Sequence, residues 1–138
     1  MALLDIKNLS FTYPNDVLAL EDINLQINFG EFVALMGTTG SGKTTLMKML
    51  KNELRPYGKL SGEILYLGED LQELEPRRSA SEIGYVMQNP EQQIVTDKVY
   101  HELAFGLENL GLSQNEIRSR VGEMASYFGI DSWFHRDT

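Results

Sequence analysis

The sequence predicts an α/β fold: two antiparallel strands, then a strand, a glycine-rich turn and a helix, with more strand and helix behind. Three observations predict it. Apolar and polar residues alternate strictly from Ile23 to Phe29; an unbroken apolar run, Phe32 to Met36, ends in "GTTGSGKTT"; and apolar residues recur at helical spacing after that turn and again beyond residue 98. With 138 residues, 42% of them apolar, the chain has the length and composition of one ordinary domain with a real core.

A first strand is expected around Leu4 to Thr12, followed by turn chemistry at Pro14, Asn15 and Asp16. In the next strand Ile23, Leu25, Ile27 and Phe29 share one face and Asn24, Gln26 and Asn28 the other, so it reads as half-buried and antiparallel. Gly30-Glu31 reverses the chain into Phe32–Met36, which lacks polar alternation and reads as a strand covered on both faces. Beyond the glycine turn, Leu46, Leu50 and Leu54 with Met47 form a helical stripe that Pro56 and Gly58 end. "GEILYLGED" and "EIGYVMQ" read as short strands, the second leading into the polar loop "QNPEQQ". Val99, Leu103, Leu107 and Leu110 then step along a helix that Thr96 or Asp97 could cap. Ser113 and Glu116 make a capping box for a last helix with the stripe Ile117, Val121, Met124 and Phe128. Gly122 inside it costs about 1 kcal/mol relative to alanine.

Charge and composition exclude several classes. There is no cysteine, which removes disulfides and thiolate metal sites and makes a reducing cytosol the default compartment. No stretch approaches the ~18 apolar residues of a membrane span, and "MALLDIKNLS" lacks the apolar core of an export signal. A net charge of −8 argues against a surface that grips nucleic-acid phosphates, and no nucleic-acid partner is expected. Yet Lys43, Lys48, Lys51, Arg55 and Lys59 cluster where Glu53 is the only acid. Lys48, Lys51 and Arg55, three and four apart, read as a solvated helix face, from which Lys43 stands apart. His101 and His135 read as surface or packing residues rather than catalytic groups.

Gly37, Gly42, Lys43 and Thr44 satisfy GxxxxGK[ST], with the strand before and the helix after that this motif requires. Its chemistry is anion binding. Glycines let the backbone N–H groups of Gly37, Thr38, Thr39, Gly40, Ser41, Gly42, Lys43, Thr44 and Thr45 converge on one concavity, and the helix adds its positive end. Lys43 can reach the β- and γ-phosphates of a nucleotide and the Thr44 hydroxyl can ligate Mg²⁺. A phosphate nest does not see the base. An aromatic near it could, by stacking, and Tyr13 in "SFTYPND" is the candidate, with ordinary packing as its alternative.

Together these motifs resemble the nucleotide-binding domains of ATP-binding cassette (ABC) transporters, P-loop ATPases. "FTYPN" resembles the adenine-stacking aromatic loop, "GTTGSGKTT" the Walker A motif, and "IGYVMQNPEQQ" the strand and Q-loop. The resemblance implies that Tyr13 stacks on adenine, that Lys43 acts catalytically, and that Gln88 contacts Mg²⁺ and the attacking water; ATP and Mg²⁺ are the expected cofactors. It also implies an antiparallel β-subdomain and nucleotide-binding core over about 1–95 and the start of a helical subdomain over about 96–138. "QNPEQQIVTDKVYHELAFGLENLGL" is similar to the ATPase subunits of energy-coupling factor (ECF) transporters for vitamins and transition metals. There, the positions matching Asn89, Pro90, Glu91, Gln92, Gln93, Ile94, Val95 and Thr96 belong to the groove that receives a transmembrane subunit. Thr44 in place of the usual serine, and Lys98, Tyr100 and His101 where acids are common, depart from the pattern.

The resemblance covers all 138 residues but only about the first half of such a domain. The signature segment, the Walker B aspartate with its catalytic glutamate, and the switch histidine have no counterpart in these residues, so the general base is lacking. The expectation is a partial ATPase subunit that binds MgATP but does not hydrolyse it alone. The parent would work as a dimer, with an identical or paralogous ATPase, on the cytoplasmic face of a membrane. A regulatory nucleotide-binding fragment, or a soluble ABC protein acting on ribosomes or DNA, are the alternatives.

Overall fold

The computed structural model describes residues 1–138, which form two compact units, Met1–Ile83 and Gly84–Thr138. The first is built on a four-stranded antiparallel sheet in the order β2-β1-β3-β4, with β1 at Ala2–Thr12, β2 at Leu18–Asn28, β3 at Lys59–Tyr66 and β4 at Glu69–Asp70. β1 is paired on both edges, to β2 and to β3. Its buried residues change parity along the strand, from Leu4 and Ile6 to Leu9 and Phe11. The cause is a bulge: the register shifts between Ile6 and Leu9, and Asn8 sits at φ 49. Asn8 is held there by a backbone donation to Asn24 Oδ1 and a side-chain donation to Asp22 Oδ1, both 2.9 Å. One inserted residue thus keeps four apolar side chains on the same core. Leu20, Leu46, Met49, Ile64, Leu71 and Leu74 complete it.

The helix after the glycine turn, α1 at Lys43–Met49, is shorter than its leucine stripe suggests. Lys51 is extended, and Leu54 belongs to a separate 3₁₀ turn, Asn52–Leu54. The residue buried on the core face is Met49, with Leu46, while Met47 faces outward. A further helix that the sequence did not announce, α2 at Pro76–Glu82, starts with proline at a first-turn position. Its Arg78 pairs with Glu82 and Glu69 at 3.0 and 2.8 Å.

Phe32–Met36 corrects the expectation of a covered strand. It pairs with nothing and is exposed, Phe32 by 99% and Met36 by 87%. A strand buried on both faces needs neighbours on both edges and layers above and below, and this unit supplies neither to it. The second half of "EIGYVMQ" is likewise irregular from Gly84 to Gln88, for want of a ladder partner.

In the second unit, α3 (Val99–Asn109) packs on α4 (Gln114–Phe128) through Ala104, Ile117 and Val121, with Tyr100, Leu103, Leu107, Leu112 and Phe134 around them. Neither Thr96 nor Asp97 caps α3: the N-cap is Lys98, without a side-chain bond. The capping box of α4 is present. Glu116 N donates to Ser113 Oγ, and Ser113 N donates to the Glu116 carboxylate at 3.0 Å. The buried stripe on α4 is Ile117, Val121 and Ala125; Met124 and Phe128 face solvent, one step round the helix from the expected line. Gly122 does not interrupt the helix.

Candidate functional site

The loop Gly37–Gly42 leads into α1, and its shape depends on what stands behind it. Gly42 has φ +94, and a Cβ there would lie 2.6 Å from the Ala19 carbonyl oxygen and 3.2 Å from Leu20 Cδ2. Only glycine fits, because the start of β2 closes on the loop from behind and a side chain would meet its backbone. At Gly37 a Cβ would meet only the Ser41 hydroxyl, at 2.8 Å, which a turn of that side chain relieves. Ser41 N donates to Thr38 O at 3.2 Å, and Leu46 N makes the first helical bond to Gly42 O at 2.9 Å.

Lys43 lies back across this loop. Its ammonium donates to Gly37 O at 2.6 Å, Thr38 O at 2.7 Å and Ser41 Oγ at 3.3 Å, three acceptors for its three protons. The charge is thereby held against the loop's own carbonyl groups. Thr38, Thr39, Gly40, Ser41 and Thr44 are exposed around it. Thr45 is different: it is buried, and its hydroxyl hydrogen-bonds the Tyr13 hydroxyl at 2.9 Å. Tyr13 is half-buried, edge-on to Phe11 with ring centroids 5.0 Å apart. The aromatic turn and the glycine loop are therefore tied together through α1, a link that no motif spacing announces.

The remaining candidates lie in the second unit. Gln88 is exposed, just before a 3₁₀ turn at Pro90–Gln93. Gln93 braces the segment ahead of it: its Oε1 accepts from Met87 N at 2.7 Å and its Nε2 donates to Tyr85 O at 3.1 Å. Asn89, Pro90, Glu91, Gln92, Ile94 and Val95 are exposed, and Thr96 is half-buried. His101 is exposed beside Asp97 at 3.5 Å, and His135 is exposed, as surface residues would be.

The chain has no cluster of three or more His, Asp or Glu residues able to hold a metal ion. The donors read from sequence, the Thr44 hydroxyl and the Gln88 amide oxygen, are neutral oxygens, chemistry that suits Mg²⁺ already carried by phosphates.

A family model described as "ABC transporter" matches residues 20–137. A putative ABC transporter ATP-binding protein of Bacillus anthracis is 48% identical over 133 residues, which are 96% of this chain and 24% of that protein. Another, from Methanosarcina acetivorans, is 39% identical over 97% of this chain and 40% of its own length. The chain thus spans about a quarter to two fifths of these curated relatives. Among solved structures, cbiO1 from Clostridium perfringens, described as part of the ABC transporter complex cbiONQ, superposes with a TM-score of 0.83. It is 30% identical, over 99% of this chain and 54% of cbiO1. The dimeric ATP-binding cassette MJ0796, in a post-hydrolysis state with ADP and Pi, shares the fold at a TM-score of 0.77 and 23% identity, over 97% of this chain and 61% of that one. A glycine loop whose last position, Gly42, has no room for a side chain, a lysine drawn back onto it, and a family match across most of the length lead to one conclusion: the chain belongs to the ABC transporter ATPase family.

Proposed function

We propose that Gly37–Thr45 hold the phosphates of MgATP and that the parent protein couples ATP hydrolysis to uptake of a vitamin or metal ion. The observation that carries the phosphate reading is Lys43: its ammonium rests on Gly37 O and Thr38 O, beside backbone that only glycine can shape. An anionic phosphate is a stronger partner for that ammonium than neutral carbonyls are, so nucleotide draws Lys43 out of the loop. By the resemblance, the Thr44 hydroxyl would be a Mg²⁺ donor, and the ion would supply charge neutralisation at the phosphates. Tyr13, positioned by Thr45, gives a ring face to the adenine base. Gln88 orients the attacking water.

The uptake reading rests on the resemblance of "QNPEQQIVTDKVYHELAFGLENLGL" to ECF ATPase subunits. The likeness to cbiO1, part of an ABC transporter complex, supports assigning Asn89–Thr96 to contact with a transmembrane subunit. No helix of the chain is long and apolar enough to cross a membrane. The reading places the parent on the cytoplasmic face, against that subunit. Closure on two nucleotides is by a second ATPase subunit.

Residues 1–138 bind nucleotide without turning it over, because none of the assigned groups can serve as general base. Steady-state assays on the 138-residue chain should detect no phosphate release; release that disappears in Lys43→Ala would overturn this. For the docking assignment, Val95→Asp should abolish co-purification with the purified transmembrane subunit. Unchanged association would remove Asn89–Thr96 from the interface.

A further inference from the structure

We infer that Glu102 is the positioning residue of the docking loop, its carboxylate locking Val95 and Thr96 into the shape that a transmembrane partner meets. One oxygen does the work. Glu102 Oε2 accepts from Thr96 N at 2.9 Å, from Thr96 Oγ1 at 2.9 Å and from Val95 N at 3.1 Å. Glu102 stands on the first turn of α3, so the loop is tied to a helix that is itself packed on α4.

The other side of the loop is tied to the stretch Phe134–Thr138. Thr138 Oγ1 donates to Thr96 O at 2.6 Å and Thr138 N donates to Asp97 O at 3.3 Å. Asp137 pairs with Lys98, and the first α3 amides, Val99 N and Tyr100 N, donate to Arg136 O and Phe134 O at 3.1 Å each. A surface loop ordinarily leaves such amides to water. Here the Val95 and Thr96 amides are spent on Glu102 instead, while the apolar Val95 side chain stays in solvent at 61% exposure.

That arrangement has a consequence for binding. Ordering a loop on association subtracts from affinity, and a loop ordered beforehand avoids the loss. Burial opposes the charge on Glu102, yet the hydrogen bonds from Thr96 and Val95 outweigh it and hold the carboxyl below its ordinary range. The charged form is therefore the one that grips the loop, and a charged acceptor is stronger than the amide of glutamine.

This inference rests on the docking assignment for Asn89–Thr96, but its test needs no partner. Amide hydrogen exchange is read residue by residue in the 138-residue chain, in Glu102→Ala and in Glu102→Gln. Glu102→Ala should speed exchange at Val95 and Thr96 by about tenfold or more, while buried amides of α4 such as Val121 keep their protection. Glu102→Gln, which retains an acceptor oxygen, should rescue part of the loss and fall between the two. It also decides the question if the alanine variant melts α3. Unchanged exchange at Val95 and Thr96 in both variants would overturn the assignment. Intact exchange effects alongside a harmless Val95→Asp would instead leave the brace standing and remove the docking role.

Discussion

β1 and the run Phe32–Met36 are both apolar, both in the first unit, and end in opposite conditions. Phe11 on β1 is 1% exposed; Phe32 is 99% exposed. Hydrophobicity does not separate them, since "FVALM" is more continuously apolar than "LLDIKNLSF". Partners do. β1 has β2 on one edge and β3 on the other, so its backbone groups are satisfied and its side chains find a core, whereas residues 32–36 have no ladder on either edge. A strand is a property of a set of segments, and an apolar run alone specifies only the wish for one.

The sharpest way to break that comparison is to truncate both phenylalanines. Phe11→Ala should cost about 3–5 kcal/mol in urea unfolding, because it empties a filled site beneath the sheet. Next comes the loop backing: Gly42→Ala should cost about 1–3 kcal/mol and abolish nucleotide binding, as its Cβ drives against the Ala19 carbonyl at a positive φ. A smaller effect is due where order depends on local contacts. Ser113→Ala should remove about 1 kcal/mol from the second unit, seen as a lower urea midpoint of the helical signal.

The same box has a pH signature. Hydrogen bonds from the Ser113 hydroxyl and backbone, with help from Arg120, hold the Glu116 carboxyl below its ordinary range against slight desolvation. A depressed folded pKa means that the contribution is whole above the unfolded value, about 4.3, and is lost as pH falls through the folded one. The helix should therefore be less stable to urea as pH falls below about 4.3, with a smaller acid-induced change in Ser113→Ala. Phe32→Ala should be the smallest perturbation of all, within about 0.5 kcal/mol. A cost there comparable to that of Phe11→Ala would show that the exposed run is covered in solution.

Legibility in the sequence followed the reach of the interactions. The capping box of α4, the alternation of β2 and the GxxxxGK[ST] loop are local and were readable directly. The bulge at Asn8 was not, because it depends on Asp22 and Asn24 across the ladder. Nor were the stripe positions of α4: Ala125 is buried, and the larger Met124 and Phe128 are left outside, because the face toward α3 is set by packing. At the site, the glycines, Lys43 and Thr44 could be named from the motif and Tyr13 as a stacking candidate from its turn; the resemblance favoured stacking over packing for Tyr13 and added Gln88. The supports could not: Thr45 under Tyr13, Gln93 behind Met87 and Glu102 beneath Thr96 act through hydrogen bonds that no spacing encodes.

The central claim, that the glycine loop with Lys43 is a nucleotide phosphate site, is tested most directly by titrating MgATP into the 138-residue chain and into Lys43→Ala by calorimetry. Binding heat in the first and its loss in the second is the expected result. Equal heats in the two, or none in either, would contradict it.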